Sequence, residues 1–259
     1  MKEPLAPRAA LAVLLFFLLG PFLVVFVAAF GQERSLRFPP SSFTLEWFGR
    51  VLHQQMFVDG FRTSLVVAVV STLGALLIGI PLAYATARFD FRGKGLVQLL
   101  ATAPVIVPEL VVGLALLRYF VLTAQLPILP SLLIGHTALL IPYAVRVVLA
   151  SLANVPIDVE QAAVSLGASR LGAFLRVVLP NIRSGMLAAA VLAFITSFNN
   201  VSVSLFLTGP GIATLPIQML VYMEYYYDPS IAALSTLLIL FTMLVVQATE
   251  RVLGLSRYV

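Results

Sequence analysis

No cysteine occurs in the 259-residue chain, which rules out disulfides, thiol chemistry and Cys-ligated metal and leaves the redox compartment open. Histidine is nearly as scarce. His53 and His136 stand far apart without ligand-spaced partners, so metal catalysis has little to build on. Charge is sparse as well, at 10% of residues against about a quarter in ordinary globular domains. The sequence also lacks the Gly-x-x-x-x-Gly-Lys-Ser/Thr loop: Gly93-Lys94-Gly95 has neither the leading glycine nor the hydroxyl that would hold magnesium. The chain is therefore not its own ATP motor. Gly-x-Ser-x-Gly is missing and His136 has no triad partners in sequence, which leaves an intramembrane hydrolase without a catalytic constellation. What is plentiful is apolar side chain, at 61%. No water-soluble core of this size uses that much, and the bilayer is its natural solvent. The formal charge is +5, but the cations are scattered around apolar runs and form no single basic face. That distribution speaks for membrane topology and against nucleic acid.

Lys2 and Arg8 precede an apolar run from Ala9 to Phe30. The core of a signal peptide has only about 7–15 residues, whereas a helix crosses the hydrocarbon with about 20. The run reads as a retained first helix. Further apolar segments over 63–87, 96–117, 127–150, 184–207 and 231–249 bring the spans to six. Pro104, Pro108, Pro127, Pro130 and Pro142 interrupt the third and fourth, which is tolerable where neighbouring helices re-satisfy the freed carbonyls. Six spans put both termini on one side. That side carries Lys2, Arg8, Arg88, Arg92, Lys94, Arg170, Arg176, Arg183, Arg251 and Arg257. The other carries Arg34, Arg37, Arg50, Arg62 and Arg118, with Arg146 inside span four. The excess places both termini in the cytoplasm. Ser71, Ala75, Gly79, Ala83 and Ala87 recur every four residues in span two, a small-residue stripe suited either to intrachain packing or to a subunit interface. No long repeat, low-complexity tract or linker divides the chain. The expectation is an all-α multi-pass membrane protein, one transmembrane domain over 1–259.

Spans four and five are joined by a loop over 151–183 that is too regular to be a tether. Pro156 early, Asp158 and Glu160 in the first turn and Gly167 at the end are helix start and stop signals. Val159, Ala162, Ala163 and Leu166 fall on one face. Ser169 can cap a second short helix through Phe174 and Arg176, expected to end before Pro180. Periodicity alone fits an interfacial helix as well as a docking helix.

The spacing goes further. Gln161-Ala162-Ala163, Gly167 four residues on, and Val177, Leu179 and Pro180 beyond it resemble the cytoplasmic signature of binding-protein-dependent ABC permeases, with Gln for Glu and Val for Ile. Phe91-Arg92-Gly93-Lys94, Pro104-Val105-Ile106-Val107-Pro108-Glu109, Phe206-Leu207-Thr208-Gly209-Pro210, Thr214-Leu215-Pro216 and the segment Asp228–Thr236 are similar to the subclass that includes spermidine/putrescine importers. The resemblance implies a six-helix permease bundle whose loop is a coupling helix docking on an ATPase through Glu160, Gln161, Ala162, Ala163, Gly167, Leu179 and Pro180. Gln161 removes the usual charge there; either the neighbouring acid Glu160 supplies it or the partner's groove differs. It implies as partners a cytoplasmic ATPase dimer, a second related permease, a periplasmic solute-binding protein and membrane lipid. ATP and magnesium belong to the ATPase, with no cofactor and no enzymatic activity in this chain. The solute favoured is a polyamine such as spermidine or putrescine; the alternatives are an aminophosphonate, ferric iron or another small charged solute. An ion-driven secondary transporter is the rival class. It would show paired broken helices in inverted halves and need no docking loop.

Polar residues inside apolar runs are the candidates for a solute pathway. Glu109 is read near the middle of span three, where a lone carboxylate costs roughly 2.5–3.5 kcal/mol on insertion scales. Either it attracts a cationic solute, or it is a structural partner of Arg146 or of the kink at Pro108. Asn199 and Asn200, with Ser197, Ser202 and Ser204, fit solute coordination and helix–helix hydrogen bonding equally. The loop after span five has no Lys or Arg but holds Tyr222, Glu224, Tyr225, Tyr226, Tyr227 and Asp228. Tyrosines beside carboxylates suit an ammonium group, or form an aromatic belt.

Overall fold

A computed structural model describes residues 5–35 and 38–253; Lys2, Arg37 and Arg257 of the charge count lie outside the described residues. Thirteen α-helices form among these residues, and no strand. In chain order they are α1 (Leu5–Ala28), α2 (Glu46–His53), α3 (Gln55–Arg88), α4 (Lys94–Ile106), α5 (Glu109–Leu116), α6 (Ile128–Ala153), α7 (Ile157–Ser165), α8 (Arg170–Ala173), α9 (Leu179–Asn181), α10 (Arg183–Phe198), α11 (Ser202–Phe206), α12 (Leu215–Tyr225) and α13 (Ser230–Leu253). Four are long and apolar enough to cross a membrane alone, in α1, α3, α6 and α13, and two bent pairs, Lys94–Pro104 with Glu109–Thr123 and Arg170–Asn181 with Arg183–Phe198, raise the number of crossings to as many as six.

Two of the expected spans are broken. The third is α4 and α5 bent 95° at Val107-Pro108. Proline has no N–H to donate, and it drives the preceding residue out of the α region; Val107 is extended at φ −82°, ψ 134°. Glu109 is thus not mid-helix, as expected from hydropathy, but the first residue of α5. The fifth is α10, a turn at Asn199–Val201, and α11. The helix after Ser169 also departs from expectation. It does not stop before Pro180 but passes through a π-helical segment, Phe174–Val178, into α9. A π turn is wider than an α turn, which relieves the clash a proline ring otherwise makes with the carbonyl four residues back.

The chain forms two compact units. One is drawn from Met1–Val58 and Gln218–Leu244. Its core is Ala28, Ala29, Trp47, Ala232 and Ala233, with Trp47 Nε1 donating to the Gly31 carbonyl at 2.7 Å. The other is drawn from Asp59–Ile217 and Val245–Val259. Here the small-residue stripe is buried inside the chain. Ser71, Ala75, Gly79 and Ala83 are all buried, and a Cβ on Gly79 would lie 2.8 Å from that of Ala144 in α6. Ser71 Oγ donates to the Leu133 carbonyl at 3.1 Å. The stripe is therefore an intrachain seam between α3 and α6. Only Ala87, at its end, is exposed.

Candidate functional site: a carboxylate at a helix break and an exposed docking loop

Gly113 lies one helical turn from Glu109, on the same face of α5. A Cβ there would meet Phe206 Cδ2 at 2.7 Å and the Ser202 carbonyl at 3.0 Å, so only glycine allows α5 to lie this close to α11. That approach brings Asn200 to Glu109: Asn200 Nδ2 donates to Glu109 Oε2 at 3.0 Å. Its other end, Oδ1, accepts from the backbone N–H of Val203 at 3.0 Å and Ser204 at 3.4 Å, capping the first turn of α11. Asn200 is buried, Asn199 is exposed, and Glu109 is half-buried. Ser202 is half-buried beside them. No ion pair joins Glu109 to Arg146, which is exposed.

The same break is clasped from behind. His136 of α6 is fully buried; its Nδ1 bonds Ser197 Oγ of α10 at 2.8 Å and its Nε2 bonds Ser204 Oγ of α11 at 3.0 Å. A neutral imidazole donates through one nitrogen and accepts through the other, so one ring ties both helices on either side of the Asn199–Val201 turn. Ser197 and Ser204 are thereby buried and joined through the imidazole. Nothing in the sequence marked His136 for this role, because its partners lie 61 and 68 residues away.

The loop after α6 forms the second candidate surface. Gly167 adopts φ +94°, and around it Gly167 N donates to the Val164 carbonyl at 3.0 Å and Ala168 N to the Ala163 carbonyl at 3.1 Å. These are the two bonds of a Schellman ending. Ser169 caps α8 by accepting from Gly172 N at 3.0 Å. On α7, Gln161 and Ala162 are exposed and Ala163 is half-buried, while Leu166 is 90% exposed. Leu179 is half-buried and Pro180 exposed. A groove of about 380 Å³ runs beside them, lined in part by Gln161, Val164, Ser165 and Arg170. Glu160 differs. Its carboxylate is turned inward, taking a hydrogen bond from the Tyr84 hydroxyl and lying 3.5 Å from Arg88 Nε, with the two side chains 13% and 12% exposed.

Residues 75–254 match the model of the family described as binding-protein-dependent transport system inner membrane component. The chain belongs to this family. It is a multi-pass inner-membrane permease subunit of an ABC importer, not an enzyme. Among its relatives, the spermidine/putrescine transport system permease protein PotC of Escherichia coli (strain K12) is 29% identical over 234 residues, covering 90% of this chain and 88% of that one. The putrescine transport system permease protein PotI of the same strain is 27% identical over 230 residues, 86% and 82% of the two chains. The molybdate/tungstate transport system permease protein WtpB of Pyrococcus furiosus is 33% identical over 186 residues, 71% and 72%. In fold the permease resembles a chain of the bacterial alginate ABC transporter solved with its alginate pentasaccharide-bound periplasmic protein, with a TM-score of 0.74 at 16% identity over 95% and 92% of the chains.

The remaining residues expected in the pathway belong to the other unit of the permease. There Glu224 is exposed, and Asp228 is taken up locally: Tyr222 Oη donates to its Oδ2 at 2.8 Å, and Ser230 N to its Oδ1 at 2.9 Å. Tyr225, Tyr226 and Tyr227 are exposed. Among the described residues no group of three or more His, Asp or Glu is placed to hold a metal ion.

Proposed function

We propose that this permease conducts a small cationic solute of the polyamine class, and that Glu109 receives it at the break between α4 and α5. The carboxylate carries the reading. It is held by a neutral amide and not by a cation, so its negative charge stays available, and an intramembrane acid facing protein or water marks an ion or substrate path. The extent of the match to PotC and PotI supports the same class. In this reading both termini and the α7–α9 loop face the cytoplasm, by the excess of Lys and Arg on that side. A dimeric ATPase docks on α7, a second related permease completes the pathway, and a periplasmic receptor delivers the solute.

Glu109→Gln keeps the shape and a hydrogen-bond acceptor but removes the charge. Uptake of radiolabelled spermidine by membranes holding the complex is expected to fall about tenfold or more, as loss of about 1.4 kcal/mol of binding requires, at unchanged membrane levels. Unchanged uptake would remove Glu109 from the pathway. A second reading, transport of an oxyanion, rests on the 33% identity with WtpB. It predicts that molybdate uptake is maintained or raised in Glu109→Gln, because a carboxylate repels an anion.

A further inference from the structure

The interior face of the docking loop is built around one carboxylate. Tyr84 and Arg88 stand four residues apart in the last turns of α3, on the same face. Between them they engage both oxygens of Glu160: the Tyr84 hydroxyl bonds Oε1, and Arg88 Nε lies 3.5 Å from Oε2. Arg88 reaches further. Its Nη2 donates to the Val155 carbonyl at 2.7 Å and to the Leu152 carbonyl at 3.5 Å, at the C-terminal end of α6, where a cation also suits the helix dipole. The Tyr84 ring packs on Phe174, in the segment after α8, at 4.5 Å between centroids. One residue away on α7, Gln161 points out to solvent. Both residues border the groove beside α7, but only the acid is held by α3, with its charge already matched by Arg88.

We propose that Glu160, Arg88 and Tyr84 are positioning residues that join the docking helix α7 to α3 and α6, so that movement of α7 is passed to the membrane-spanning helices and not lost in the loop. Glu160 is then not the acid that replaces the missing charge at the docking surface. Separating a charge pair this well buried is costly, because leaving either partner alone strands a charge away from water. Arg88 Nε and Glu160 Oε2 have no hydrogen bond of their own; their mutual charge is what satisfies them. The seam of Ser71, Ala75, Gly79 and Ala83 packs α3 closely against α6 over this stretch, and packed interiors transmit displacement where flexible loops absorb it.

The inference rests on the reading that α7 docks an ATPase. Failure of that reading shows as absent ATPase association in the unmodified complex, whereas failure of this one shows only in variants. The test uses the full complex with its receptor in proteoliposomes, with spermidine present, and reads ATPase association and receptor-stimulated hydrolysis separately. Arg88→Gln and Glu160→Gln are each expected to bind the ATPase as the unmodified chain does. Stimulation should fall about tenfold in each, and the double variant should be no worse than either single, as two groups acting as one unit require. Arg88→Lys, which keeps the charge without the planar fork, should recover part of the loss. Additive losses in the double variant would overturn the proposal, as would loss of ATPase association in either single. Where a single variant fails to accumulate, Tyr84→Phe decides: it removes only a hydroxyl, and full stimulation there would equally overturn the assignment.

Discussion

Ala163→Asp is expected to abolish receptor-stimulated hydrolysis and solute uptake together while the permease still inserts. Ala163 is half-buried on α7, three residues from Glu160. An aspartate there adds volume where a helix must seat closely in a partner's groove, an overpacking cost of about 1–3 kcal/mol. It also places a like charge at i+3 from Glu160, which is unfavourable on a helix surface. About 1.4 kcal/mol suffices to weaken docking tenfold. Ala162→Asp is the sharper companion, because Ala162 is exposed in the isolated chain and leaves the loop's own packing intact. Co-purification of the ATPase and hydrolysis by the reconstituted complex check both. Normal association and uptake in both variants would make the loop a mere surface helix.

The second large effect is expected at Gly167, and there the cause is conformational. A Cβ on Gly167 meets no atom within 4 Å, so substitution creates no clash. The penalty comes from φ +94°, a left-handed conformation that costs a non-glycine residue about 1–2 kcal/mol and that β-branched side chains resist most. Loss of coupling should therefore follow the order Val, then Ala, with Asn closest to the unmodified chain because it tolerates this region. Measured hydrolysis and uptake across Gly167→Asn, Gly167→Ala and Gly167→Val test that order. Equal effects of Asn and Val would show that the glycine serves something other than its φ.

The signals that were legible in the sequence are local. Pro156, Gly167 and Ser169 mark the ends of short helices through their own backbone chemistry, and the structure places each accordingly. The long spans were legible because hydrocarbon thickness sets a length. What was not legible depends on pairs distant in sequence. Glu109 and Asn200 are 91 residues apart, and no periodicity within either helix points to the other. The break after Phe198 contains no glycine or proline; the cap from Asn200 and the clasp of His136 hold it. Helical periodicity on α7 found an apolar face but not what it faces. The face that includes Leu166 is left in the open, while the acid between its apolar positions, Glu160, turns inward to a cation from α3. The rule that a helix stops before proline failed at Pro180 because a π turn, invisible to pattern reasoning, widens the backbone just ahead of it.

The α7 loop is expected to face the cytoplasm and to be covered by an ATPase. The absence of native cysteine makes a direct measurement possible, since a single introduced thiol has no background. Leu166→Cys places that thiol at the most exposed apolar position of the loop. A membrane-impermeant maleimide should label it in inside-out vesicles and not in intact spheroplasts, and the label should be lost when the ATPase is bound. Labelling from the outer face would put the loop on the wrong side of the membrane for an ATPase, and labelling unaffected by bound ATPase would show that the loop is not its docking surface.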